Sequence, residues 1–155
     1  MELSSPAFAP LAEIPRRHTC EGEDLAPPLA WTGVPAGTRS LVLIVDDPDA
    51  PDPAAPQVTW VHWVLLDIPP QAGGLPEGGA PLPPGTRQGL NDWRQARYGG
   101  PCPPIGHHRY FFKLYALDRL LPALAQPTKQ AVEQAMRGHV LATAELIGTY
   151  CKRQR

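Results

Sequence analysis

The 155-residue chain has no excess of positive charge: 14 Lys and Arg stand against 15 Asp and Glu, a formal net charge of −1. It therefore lacks the basic field that drives binding to nucleic acid or an anionic membrane. Its one basic cluster, Lys152, Arg153 and Arg155, reads as a solvated chain end. Long apolar runs are also missing. The longest is only a few residues, far short of the roughly 18 that span a bilayer, so no transmembrane segment is expected. Cysteine is scarce: Cys20, Cys102 and Cys151 are odd in number and show no metal-ligand spacing. The opening Met1-Glu2-Leu3-Ser4-Ser5 has neither the positive region nor the apolar region of a secretory leader. A reducing cytoplasm is the compartment these features suggest. Serine occurs only at Ser4, Ser5 and Ser40, none in a Gly-x-Ser-x-Gly elbow, so a serine hydrolase is not indicated.

Proline and glycine are plentiful, at 21 and 14 residues. Together they approach the roughly 25–30% at which disorder becomes the default. Leu, Ile, Val and Phe supply 34 residues, about 22%, just above the roughly 20% floor of disordered chains. They are gathered into runs, which points to strands joined by rigid turns. At this length residues 1–155 are expected to form a single domain.

Ser40-Leu41-Val42-Leu43-Ile44-Val45-Asp46-Asp47 is apolar on both faces until its acids, as a central strand is, and Pro48 should end it. Trp60 to Ile68 and Tyr110 to Leu117 are further β-branched and aromatic strands. Gln71 to Gly89, rich in Gly and Pro, reads as a long surface loop. One helix is expected over Lys129 to Arg137, with Thr128 as N-cap and Gly138 as its stop. A turn of helix over Leu120 to Ala125 would make a second, and the alternation from Val140 to Ile147 suggests a last strand. The fold class is mainly β, with two packed sheets and one or two short peripheral helices.

Three polar segments could carry chemistry. Asp46, Asp47 and Asp49 are three acids in four residues, stiffened by Pro48 and Pro51, and they need partners or water. His62, at period two, shares a face with Trp60, Val64 and Leu66. In the stretch Tyr98-Gly99-Gly100-Pro101-Cys102-Pro103-Pro104-Ile105-Gly106-His107-His108-Arg109-Tyr110, His108 and Tyr110 share a strand face, with His107 and Arg109 opposite. A Gly-Gly-Pro turn can offer backbone N–H groups beside these side chains, an arrangement suited to a small anion. Cys102, His107 and His108 alternate between faces without a second ligand pair, so neither metal nor cofactor is expected. Trp31, Trp60, Trp63 and Trp93 read as core or rim aromatics.

Gly22-Glu23-Asp24-Leu25-Ala26-Pro27-Pro28, Asp47-Pro48-Asp49-Ala50-Pro51, Trp60-Val61-His62-Trp63, Gly99-Gly100-Pro101-Cys102-Pro103-Pro104 and His108-Arg109-Tyr110-Phe111-Phe112 occur in that order. Together they resemble the phosphatidylethanolamine-binding protein family, and most closely its bacterial branch of Raf kinase inhibitor-like proteins. The resemblance implies two packed β-sheets and a small pocket at one edge for phosphate-like anions. Carried over by position, the pocket would comprise Asp47, His62, Gly100, Pro101, His108 and Tyr110, supported by Asp49, Trp60 and Arg109. Asp47 beside His62 would favour the imidazolium, and this with the Tyr110 hydroxyl would hold the anion.

The leading functional expectation is a non-catalytic binding protein for a small anion such as phosphate, acetate or a phosphoethanolamine-like head group. The alternative is a protein-interaction regulator inhibiting a kinase or protease, with the Pro-rich loops as contact surface. A hydrolase using Cys102 with His108 and Asp47 ranks third, because Cys102 lacks the helix N-terminus that would lower its pKa. A second copy of the chain is kept as a partner.

Overall fold

In a computed structural model, which describes residues 1–152, eight strands form two sheets. Arg153 and Arg155 of the basic cluster lie outside the described residues. The larger sheet has the order β6-β4-β3-β7-β8: Arg87–Gln88, Val58–Ile68, Ser40–Ala50, His108–Leu117 and Val140–Tyr150. The smaller has the order β1-β2-β5: Glu2–Ser4, Leu29–Thr32 and Gly74–Leu75. The named strands pair antiparallel throughout.

The apolar run on β3 explains the layering. Leu41, Leu43 and Val45 join Trp63, Leu65, Phe112 and Leu114 in one core, which also takes Leu3, Leu29, Trp31 and Leu75 from the small sheet. Val42 and Ile44 face the other way, into a second core with Val64, Leu66, Leu117, Val132 and Met136. Val132 and Met136 come from α1, Lys129–Met136. A central strand covered by a sheet on one face and a helix on the other must be apolar on both. Thr128 caps α1 by accepting the Ala131 N–H at 3.2 Å, and Gly138 takes the left-handed φ of 80° that turns the chain into β8. Among the described residues, no helix is long and apolar enough to cross a membrane.

Four local expectations are corrected. Pro48 does not end β3, which continues to Ala50; between the pairs Asp47 with Trp60 and Ala50 with Val58, β3 advances three residues against two on β4. Proline is tolerated there because the extra residue makes a bulge with no ladder bond to donate. The stretch Gln71 to Gly89 is not loop alone. It contributes β5 and β6, each two residues and too short to show a period. Residues 120–125 form no helix, since the Arg87 guanidinium holds the carbonyls of Leu121, Pro122 and Leu124. Finally, His62 does not share its face with Val64 and Leu66. Val45 pairs with Trp63 and Asp46 with Val61, so His62 is itself the extra residue of a bulge on β4. The bulge re-aims its ring to the sandwich side of the sheet.

Candidate functional site

At the end of the sandwich, where β3, β4 and β7 run out of the core, a cavity of about 620 Å³ opens. Asp47, Trp60, His62, Gly100, His108 and Tyr110 all line it, so the structure brings together most of the residues singled out in the sequence. Its floor is a buried ion pair: His108 Nδ1 lies 2.6 Å from Asp47 Oδ2, with the two residues 1% and 3% exposed. His108 Nε2 lies 2.8 Å from the Ile105 carbonyl. Both ring nitrogens thus face acceptors. Burial pushes the Asp47 carboxyl above its ordinary value, and the hydrogen bond from His108 opposes that shift.

The bulge after Asp47 is locked from within. Asp47 Oδ1 accepts the Asp49 N–H at 2.7 Å, and the Asp49 carboxylate takes the Arg109 N–H and both ends of its guanidinium at 2.8–2.9 Å. The Arg109 guanidinium holds Asp49 below the usual carboxylate range. Arg109 is therefore a strut and Asp49 its anchor; neither lines the cavity. Pro51, after a cis peptide bond from Ala50, forms part of the rim.

His62 and the turn at Gly99 clamp one another. The ring Nδ1 sits 2.6 Å from the Gly99 carbonyl, while the Gly99 N–H donates to the His62 carbonyl at 3.0 Å. Because a carbonyl only accepts, Nδ1 carries the hydrogen. Burial pushes the His62 pKa down to about 4, so the ring is neutral at physiological pH. Tyr110 meets it edge to face at 5.2 Å and stacks near His108 at 6.4 Å. The Tyr110 hydroxyl is buried and has no hydrogen-bond partner among the described residues. Burial, with the Asp47 carboxylate nearby, raises its pKa.

The wall opposite is a crosslinked pair of loops. Gly100 N–H donates to Asp24 Oδ1 at 2.9 Å, Cys20 N–H to the Pro101 carbonyl at 3.1 Å, and the Tyr98 hydroxyl to the His18 carbonyl at 2.7 Å. Cys20 and Cys102 are joined by a disulfide. A third loop closes on the buried Asn91, whose side chain accepts the N–H groups of Trp93 and Gln95 and donates to the Arg97 carbonyl. It delivers Trp93, Gln95 and Arg97 to the mouth.

A family model described as phosphatidylethanolamine-binding protein matches residues 4–151. The chain belongs to this family. A protein of Methanothermobacter thermautotrophicus described as a UPF0098 protein is 50% identical over 154 residues, covering 97% of this chain and 98% of the relative. One from Aquifex aeolicus with the same description is 46% identical, covering 97% and 88%. The crystal structure of CT736, a PEBP homologue from Chlamydia trachomatis, superposes with a TM-score of 0.91 at 42% identity, over 98% of this chain and 97% of that one. The structure of E. coli YbcL, described as a new member of the mammalian PEBP family, gives 0.87 at 33% identity, over 98% of each chain.

Within this family fold, three expectations about the site are corrected. Asp47 pairs with His108 and not with His62, because the acid leans toward β7 while the β4 bulge carries His62 to the Gly99 wall; burial outweighs the Asp46 charge and keeps the His62 ring from becoming an imidazolium. The Gly-Gly-Pro turn does not offer its amides: those of Gly99 and Gly100 are spent on His62 and Asp24, and Pro101 has none. Cys102 is no thiol, since its sulfur is bonded to Cys20, which removes both the Cys102 hydrolase and the odd-cysteine argument for a reducing compartment. Sequence reasoning also missed Asp24, Asn91 and Arg97. Their roles arise from loops far apart in the chain, although Asp24 stood in one of the family blocks.

At Gly100 a Cβ would fall onto the Asp24 carboxylate and the His18 carbonyl. Gly100→Ala is expected to cost about 1–3 kcal/mol through this overpacking. Chemical denaturation of the variant checks it, and a loss below about 0.5 kcal/mol, the size of an ordinary surface change, would show that the wall yields freely.

Proposed function

We propose that the cavity binds a small phosphate-like anion, such as inorganic phosphate or a phosphoethanolamine-like head group, and performs no chemistry on it. The observation that carries this reading is the Tyr110 hydroxyl, a buried donor without a partner beside the cavity. A buried hydroxyl left unpaired costs free energy that an acceptor oxygen of a ligand would recover. Arg97, the one Arg or Lys among the described lining residues, supplies attraction at the mouth. The described lining holds no serine or threonine, and both its cysteines are in the disulfide, which supports binding over acyl or phosphoryl transfer through a serine, threonine or cysteine.

Calorimetric titration with phosphate and phosphoethanolamine tests the reading. Binding should be measurable in the wild type, and Tyr110→Phe should weaken it about 5- to 13-fold, the equivalent of one hydrogen bond of about 1–1.5 kcal/mol. No heat with either compound, or equal affinity in Tyr110→Phe, would overturn it.

A further inference from the structure

We propose that the open edge of β8 is an interface at which two copies of this chain join their large sheets, strand against strand and antiparallel, across a two-fold axis. The order β6-β4-β3-β7-β8 leaves one long edge among the described residues: β6 has two residues, whereas β8 has eleven. An edge strand carries a row of unpaired N–H and C=O groups, and proteins that stay single blunt it with lysine, proline or a covering segment. β8 contains no lysine and no proline, and Glu145 is its one charged residue.

A covering segment guards only the last part of β8. Leu11 N–H donates to the Ile147 carbonyl, Ile14 N–H to the Thr149 carbonyl, and Thr149 N–H to the Ala12 carbonyl, at 2.7–3.0 Å. Ile147 and Thr149 thus turn their backbone groups away from β7. These directions alternate along an antiparallel strand, and the register with β7 is unbroken from His108 to Ala116, so Thr143 and Glu145 also point their N–H and C=O groups outward. Among the described residues, nothing takes those four groups. Val140 and Leu141, at the start of the same strand, are exposed apolar side chains, as is Leu120.

The edge is complementary to itself, which names a second copy as its occupant. Arg119 stands at the beginning of β8, its guanidinium 3.2 Å from His139 Nε2, while the neighbouring Asp118 is taken by His139 Nδ1 at 2.8 Å. Further along, Glu145 shares a groove with Glu2 of β1. Neither Arg119 nor Glu145 has an ion-pair partner among the described residues. An antiparallel two-fold contact sets the beginning of one β8 beside the middle of the other. Arg119 of each copy then approaches the glutamates of its partner, and the same patch serves on both sides, as a closed dimer requires. The cavity lies at the other end of β7 and β8, where His108 pairs with Tyr150, so this pairing leaves its mouth open and does not depend on the anion reading.

Sedimentation velocity of the full chain from about 1 to about 100 µM tests the proposal. A short strand contact is a small interface, so a monomer–dimer equilibrium with a Kd in the micromolar range is expected. Thr143→Pro removes one outward N–H at a position where an edge strand tolerates proline, and Leu141→Lys puts a charge on the exposed patch. Each should weaken the dimer about tenfold or more, with an unchanged circular dichroism spectrum showing that the variant is folded. Arg119→Glu should weaken it about tenfold, and adding Glu145→Arg should restore it to within about threefold of wild type. Hydrogen exchange of the Thr143 and Glu145 amides should slow as protein concentration rises. A monomer at about 100 µM, a dimer that none of these variants weakens, or exchange at Thr143 and Glu145 that ignores concentration would each overturn the proposal.

Discussion

Asp47→Ala should destabilise the protein by about 3–5 kcal/mol, the cost of stripping one partner from a buried ion pair. Asp47 and His108 are both almost wholly excluded from solvent and meet at 2.6 Å. With the carboxylate gone, His108 keeps Nε2–H on the Ile105 carbonyl, but Nδ1 faces a cavity with no acceptor. That nitrogen is then buried without a partner. Asp47→Asn keeps an acceptor oxygen and should cost less, about 1.5–3 kcal/mol for losing the charge on the hydrogen bond. The double change Asp47→Leu with His108→Phe removes both partners and should recover most of the loss, since apolar replacement of a buried pair is often neutral. Urea denaturation of the four proteins measures this. If Asp47→Ala unfolds within 1 kcal/mol of wild type, as a change on a solvated turn would, the pair does not hold the floor of the cavity.

That pair shows where reading a sequence stops. The strand frame was legible because it rests on local pattern: Leu41–Val45 could be buried on both sides only as the centre of a sheet, and Thr128 and Gly138 bracket the helix by their own backbone chemistry. The partners of Asp47 were not legible, because they depend on how β3 registers with two strands at once. Three shifts in the β3–β4 register intervene, and one of them makes His62 the extra residue that faces Gly99. A period of two, counted through that bulge, assigns His62 to the wrong neighbours. Two packed sheets were expected, but the strands of the small one were not placed, for a different reason: strands of two to four residues are too short to display alternation. The Cys20–Cys102 bridge joins positions 82 residues apart, and an odd count of three cysteines gives no sign of it.

His62 should make stability depend on pH in a window set by its two environments. In the unfolded chain its pKa is close to the ordinary 6.5, and in the folded protein burial lowers it to about 4. Between these values the unfolded chain binds a proton that the native ring refuses, so stability rises with pH across the window and is lost as pH falls through it. At about 1.36 kcal/mol per unit, the whole effect is about 3 kcal/mol, fully present above pH 6.5 and exhausted below pH 4. Carboxylates titrate in the acid half of the same window, Asp47 among them with its raised pKa, so the wild-type curve alone does not isolate the ring. The difference between wild type and His62→Gln does: glutamine cannot titrate, and the carboxylates cancel. That difference should shrink by about 3 kcal/mol from pH 6.5 to pH 4, read from denaturant unfolding at half-unit steps without added anion. A constant difference would mean that the folded ring accepts a proton as readily as the unfolded one. In that case Nε2 would be a donor to any bound oxygen.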